Sequence, residues 1–205
     1  MVYSNMAVYP QILEEVIDFY KKLPGIGEKN AERLALATRD IDEDELKEFA
    51  ATIVNLEKLH NCPICGHLTD KEICNICADE NRNKSVICVT EDSKSVFTFE
   101  KSGHFNGVYH VLNGLISPID DITPDDINIS SLVKRIKDLD NVELILSLKS
   151  NIEGETTMLY LKKIFEKSNV KISRLSYGIP IGTEIDYLDP LTIDKALNDR
   201  KTISE

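Results

Sequence analysis

No stretch of this chain approaches the roughly 18 to 20 uninterrupted apolar residues that a membrane span needs, and no basic segment followed by an apolar run opens the N-terminus. Both absences lead to the expectation of a cytoplasmic protein with no membrane attachment. Positive charge is scarce: 24 lysines and arginines stand against 35 acidic residues, for a formal net charge of −11. That deficit excludes a generally basic nucleic-acid coat, because phosphate binding relies on cations that displace counterions, so any contact with DNA has to be local. Internal repeats, low-complexity tracts and long linkers are lacking as well. Cysteine is sparse and oddly placed. There are five, and four of them crowd into sixteen residues as two C-x-x-C pairs, a poor pattern for a secreted disulfide framework and one that suits a reducing compartment.

What is present suits a folded protein: 205 residues, 42% of them hydrophobic and 29% charged, can form one ordinary core or two or three small modules. Ile12, Val16, Phe19 and Tyr20 recur at helical spacing and predict an amphipathic helix over 11–22, ended by Leu23-Pro24-Gly25. A second helical pattern begins near Glu28 and carries Ala31, Leu34, Ala35 and Ala37 on one side. A third covers 42–60, with acidic residues in its first turns where the helix dipole favours them. The first sixty residues therefore read as all-helical. Beyond Asn83 the pattern changes to short Val- and Ile-rich runs, predicting strands at 86–90, 108–112, 142–148 and 170–175. Helix patterns at 93–101, 130–139 and 153–167 lie between them, and this alternation predicts a parallel sheet flanked by helices. The remainder from Gly178 mixes turns with a short helix near 193–198 and has no evident place in the sheet.

The spacing Cys62-x2-Cys65-x8-Cys74-x2-Cys77 lets each pair form a tight knuckle, and the two together present four thiolates to a tetrahedral cation at about 2.3 Å. Zinc is the natural occupant, one ion per chain. Four thiolates leave no open position for water or substrate, so its role is structural. Iron in a rubredoxin-like site, a thiol redox pair and metal-free cysteines are the alternatives. His60 and His67 flank the knuckles without being needed as ligands. Cys88, inside the run Val86-Ile87-Cys88-Val89, reads as a buried strand residue.

Leu23-Pro24-Gly25-Ile26-Gly27-Glu28-Lys29 places two glycines in a tight turn before a helix, the pattern of a helix-hairpin-helix element. Gly25 and Gly27 let backbone N–H groups approach a phosphate, and the helix N-terminus adds partial positive charge. Lys29 and Arg33, four residues apart, share one helix face and can neutralise phosphates. A plain helical corner with solvated charges is the alternative. Glu28 and Glu32 weaken the local positive field, so one copy binds feebly.

Glu91 follows the first predicted strand, and Ile152-Glu153-Gly154-Glu155 opens a helix after the third. Acidic residues at carboxyl ends of parallel strands face a shared crevice. The arrangement resembles the Toprim domain of topoisomerases and primases, which binds magnesium through such a glutamate and a D-x-D pair before E-G-E. Here Lys149 and Asn151 hold the positions of that pair, and an ammonium repels a divalent ion.

In order and content these features resemble the RecR family of bacterial recombination mediators over nearly the whole chain. The resemblance is carried by Leu23-Pro24-Gly25-Ile26-Gly27, the four cysteines, Ile87-Cys88-Val89-Thr90-Glu91 and Tyr109-His110-Val111-Leu112-Asn113-Gly114. It continues through Ile116-Ser117-Pro118-Ile119-Asp120, Pro124-Asp125-Asp126-Ile127, the E-G-E segment and Gly178-Ile179-Pro180-Ile181-Gly182. It implies an α/β protein with a helix-hairpin-helix region over 1–60, a C4-type zinc finger over 61–79, a Toprim domain over 84–180 and an assembly segment over 181–205. It further implies a non-enzymatic, nucleoid-associated role in recombinational repair, in which the protein joins RecO or RecF and helps RecA replace single-strand-binding protein on gapped DNA. No small-molecule substrate is implied. A ring-like homotetramer with the hairpins facing DNA is implied, which multiplies a weak patch by avidity. Lys29, Arg33, Gly25 and Gly27 are then the DNA contacts, and Glu91, Glu153 and Glu155 the partner-binding acids. The chain departs from the family at Lys149-Ser150, Ser95, Asp121, Thr123, Tyr177 and Thr183. Two other readings are a magnesium-dependent Toprim nuclease or primase-like enzyme using the three glutamates, which Lys149 opposes, and a scaffold that binds only proteins.

Overall fold

The computed structural model describes residues 9–137, 139–176 and 179–202, and the chain divides into two compact units, Met1–Lys58 and Leu59–Glu205. In the first, α1 (Gln11–Lys21) starts at Pro10, whose carbonyl accepts from the Leu13 and Glu14 N–H groups. Its buried Ile17 packs on Ala31 and Ala35 of α2 (Glu28–Arg39), two residues small enough to let the helices approach closely. Leu13, Val16 and Tyr20 complete the apolar stripe, and the Tyr20 hydroxyl meets Thr38 Oγ1 at 2.6 Å. Ile12 and Phe19, expected on the core face, are 79% and 66% exposed. At about 100° per residue they lie roughly 90–110° from the centre of the stripe formed by residues 13, 16, 17 and 20. Ala37 is likewise exposed.

The third helix, α3 (Glu43–Val54), is capped by Asp42, which accepts from the Asp44 N–H at 3.0 Å. It ends six residues before the expected 60, with a 3-10 turn over Asn55–Lys58. His60 has left helical geometry because β1 (His60–Asn61) pairs antiparallel with β2 (Leu68–Thr69) across the first knuckle.

In the second unit α4 (Asn75–Ala78) closes the other knuckle, and alternating elements follow: β3 (Asn83–Thr90), α5 (Ser93–Ser102), β4 (Gly107–Val111), α6 (Ile129–Lys137), β5 (Val142–Ser147), α7 (Ile152–Phe165) and β6 (Val170–Arg174). The sheet runs in the order β4-β3-β5-β6 and is parallel throughout, as the strand-helix alternation requires. Ile87, Val89, Val108, Val111 and Leu144 fill its centre, with Val96, Leu132 and Leu161 packing onto it from the helices. Cys88 lies buried in β3 as expected, and burial pushes its thiol up to about 12. Because β3 is flanked by β4 on one side and β5 on the other, the carboxyl ends of β3 and β5 form the crevice of this topology.

At the turn where the RecR family has glycines, Asp121 takes the left-handed conformation at φ 55°, which an aspartate tolerates better than most residues. The last helix, α8 (Pro190–Asn198), starts three residues earlier than expected, where Asp189 caps the Thr192 N–H. It is tied to the sheet by the Arg174–Asp199 ion pair at 3.0 Å and by Lys195 on Ser150. Tyr177 and Gly178 fall outside the described residues.

Candidate functional site

Cys62, Cys65, Cys74 and Cys77 converge so that their sulfurs all lie within 4.8 Å of one another, and all four are buried. The Cys65–Cys74 separation is 3.6 Å, close to the edge of about 3.8 Å in a tetrahedron of sulfurs each 2.3 Å from a central ion. The loops are pre-shaped for thiolates. The Cys74 N–H points at Cys62 Sγ (3.5 Å) and the Cys77 N–H at Cys74 Sγ (3.4 Å). Hydrogen bonds from the Cys65 and Cys77 thiols push the Cys74 thiol below the usual range. The donor set and spacing fit a tetrahedral metal ion. Among the described residues this is the one group of three or more Cys, His, Asp or Glu side chains close enough to hold one.

The knuckles are built into the sheet unit. Val111 N–H on β4 donates to the Cys65 carbonyl at 2.7 Å, Asn113 Nδ2 to the Gly66 carbonyl at 3.2 Å and Lys84 Nζ to the Cys77 carbonyl at 3.0 Å. A Cβ on Gly66 would sit 2.6 Å from both the Val111 carbonyl and Asn128 Nδ2, so only glycine permits this approach. Arg82, leaving the second knuckle, bonds Glu100 of α5 at 2.9 Å, and Tyr109 of β4 donates to the same carboxylate at 2.7 Å. That arrangement holds the Glu100 carboxyl below its ordinary range. Sequence inspection had not singled out Gly66, Arg82, Asn128 or Glu100. A glycine beside a C-x-x-C pair was the one available signal. His67 is buried against the Phe97 ring, and His60 stands exposed on β1.

In the hairpin Gly25 adopts φ +79° and Gly27 precedes the first turn of α2, and a Cβ on either would meet nothing within 4 Å. The space before the turn is therefore open. Lys29 and Arg33 are both exposed on α2, and neither has an ion-pair partner among the described residues. The two neighbouring acids are occupied: Glu28 pairs with Lys21 at 3.1 Å, and Glu32 lies against the Tyr9 phenol, which burial and that carboxylate push upward. The Lys21 ammonium offsets the charge of Glu28, whereas the neutral phenol leaves that of Glu32 in place.

At the carboxyl edge of the sheet, Lys149 Nζ sits 2.8 Å from Glu91 Oε1. That bond, with the nearby Asp92 and Glu153 charges, holds the Lys149 amine above its usual range. Asn151 is committed to capping α7 through the Gly154 N–H at 2.9 Å. Asp92 caps α5 through the Ser95 N–H and hydroxyl, at 2.9 and 3.0 Å. Gly154 is required because a Cβ there would lie 1.9 Å from the Lys149 carbonyl. Glu153 shares the Lys149 side of α7, whereas Glu155, about 200° further round the helix, lines a groove with Lys162, Ser173 and Arg174. The divalent ion expected of a Toprim edge does not fit this donor set: an ammonium occupies Glu91, and an amide replaces the second carboxylate.

Comparison with known proteins agrees with this architecture segment by segment. Residues 59–79 match the four-cysteine zinc finger domain of RecR, residues 85–176 match the Toprim domain, and residues 178–201 match the family described as RecR, C-terminal. A curated relative, "Recombination protein RecR" of Staphylococcus aureus (strain Mu3 / ATCC 700698), is 44% identical over 193 residues, covering 94% of this chain and 98% of its own. With its knuckles docked on a parallel Toprim sheet and this identity along almost its full length, the chain belongs to the RecR family.

Proposed function

We propose that the protein is a non-enzymatic DNA-binding mediator of recombinational repair, acting with RecO or RecF to help load RecA on gapped or SSB-coated single-stranded DNA. The observation that carries this reading is the hairpin. On a chain with net charge −11, two exposed cations without an ion-pair partner among the described residues, Lys29 and Arg33, stand beside an open glycine turn at a helix N-terminus. Family membership supports the recombination context. Zinc is the metal that best suits four thiolates, and there it stabilises the knuckles without touching substrate. A homotetrameric ring would present several hairpins to one DNA and convert weak contacts into useful avidity. Glu91, Glu153 and Glu155 are the proposed partner-facing acids, with Glu91 partly neutralised by Lys149. The same ion pair counts against magnesium-dependent nuclease or primase chemistry, which needs clustered carboxylates free of cations.

The test is fluorescence anisotropy of labelled gapped DNA, wild type beside Lys29→Ala/Arg33→Ala, over a salt series. Binding that weakens steeply with salt in the wild type and is much weaker in the variant is expected. Equal binding by both proteins would remove the hairpin from the DNA site.

A further inference from the structure

One helix face of the sheet unit combines an open aromatic ring with two exposed lysines. On α5, Lys94, Phe97, Thr98 and Lys101 line an open groove together with Glu100. Seven residues separate the lysines, so they align within about 20° around the helix and stand about 10 Å apart along it, with Phe97 between them in height and about 60° to one side. Phe97 is 46% exposed, although its ring is held by the buried His67, centroid to centroid 4.9 Å at 63°. The helix is itself anchored to the first knuckle, where Ser93 Oγ accepts from the Leu68 N–H at 2.9 Å.

Charge on this face is positive. Neither Lys94 nor Lys101 has an ion-pair partner among the described residues. Glu100 is paired with Arg82 and accepts from Tyr109, and Asp92 accepts from Ser95 and lies in the field of both Lys149 and Lys94. A pre-positioned ring between two exposed ammonium groups suits one class of ligand, an unpaired nucleotide strand. A base can stack on the ring while the flanking phosphates meet the lysines. Duplex DNA cannot use the ring, because its bases are already stacked. We propose that this α5 face is a second nucleic-acid contact, specific for single-stranded DNA and independent of the hairpin, with Phe97 as stacking platform and Lys94 and Lys101 as phosphate contacts. The hairpin reaches only backbone and does not distinguish single from double strands, so this face would supply the preference for single strand. A mere cover for His67 would need only an apolar side chain at 97, and that difference makes the two roles separable.

The test uses the full chain in the Lys29→Ala/Arg33→Ala background, so that the hairpin's own success or failure does not enter. Labelled (dT)12 is titrated by anisotropy across a salt series, with bound zinc and thermal midpoint followed as controls. Phe97→Leu, which keeps the cover over His67, is expected to weaken (dT)12 binding about tenfold and leave the binding of a duplex unchanged. Lys94→Gln/Lys101→Gln should reduce the slope of log K against log salt by about 1.4. The chain has no tryptophan, so Phe97→Trp places the sole tryptophan at the site; it should bind (dT)12 at least as well as Phe97 and, excited at the red edge where tyrosine does not absorb, lose emission on binding. Undiminished (dT)12 binding by Phe97→Leu overturns the proposal. So does the absence of any (dT)12 binding at low salt with Phe97 and both lysines intact, or an unquenched Phe97→Trp variant.

Discussion

The knuckles and the hairpin make opposite use of their polar groups. Around the four cysteines every thiol is buried, backbone amides are aimed at sulfur, and the loop carbonyls accept from β4, Asn113 and Lys84. Around the hairpin the important groups point outward: Lys29 and Arg33 are exposed, and the space before both glycines is empty. The first region aims its backbone amides and carbonyls inward, with His67 Nδ1 the buried atom there that lacks a partner among the described residues, and it shares one core with the sheet. The second rests on a small core of Ile17, Ala31 and Ala35. Groups that hold a fold together are spent inside it, whereas groups that bind a partner are left with bonds still to make.

The largest effect should follow from breaking the knuckle. Cys74→Ser removes one of four thiolates, and because the cysteines belong to the sheet's own core, loss of the ion should cost on the order of 5 kcal/mol. Zinc content and a urea transition check this, and a variant that folds normally without metal would reverse the assignment of a structural role. Next comes the seam between knuckle and sheet. Gly66→Ala forces a methyl to within 2.6 Å of the Val111 carbonyl at a left-handed backbone position, for an expected loss of about 3 kcal/mol in the same urea assay.

A pH effect of similar or smaller size should come from His110, buried in β4, whose Nε2 lies 2.8 Å from the Asn128 carbonyl. Burial, helped by the nearby Arg135, pushes its pKa down to about 4. The unfolded chain takes up that proton near pH 6.5 while the native state does not, so stability falls as pH drops from about 6.5 towards 4, by up to roughly 3 kcal/mol. His110→Gln should remove that part of the decline, read as the difference between the two proteins' urea midpoints at pH 7 and pH 4.5. Parallel declines would acquit the imidazole. The smallest effect is expected at the hairpin, where Lys29→Ala/Arg33→Ala should change unfolding free energy by no more than about 0.5 kcal/mol, since both side chains are exposed and unpaired. A substantial loss of stability there would erase the contrast between the regions.

Much of the architecture was legible in the sequence because its signals are local. Short Val- and Ile-rich runs marked β3 to β6 and helical periodicity marked α5 to α7, each to within two or three residues, and the doubled C-x-x-C spacing picked out the four cysteines that converge. The expected helix over 42–60 overran because pairing of His60–Asn61 with Leu68–Thr69 is a contact made across a loop, which periodicity does not register. Ile12 and Phe19 were misplaced because two overlapping apolar stripes run along α1, and only the small residues of α2 decide which one is buried.

By itself the sequence determined what depends on residue type and spacing along the chain: four cysteines placed to share one ion, a glycine turn with two cations beside it, and a lysine where a Toprim edge has a carboxylate. Tertiary structure alone decided which of these groups are free. It spent Asn151 and Asp92 on helix caps and set Lys149 against Glu91 across 58 residues of chain. It also paired Glu28 with Lys21 and left Phe97 open between two exposed lysines. The physical reason is range: propensity and ligand spacing act over a few residues, whereas the partner a side chain finds is fixed only when distant segments pack together.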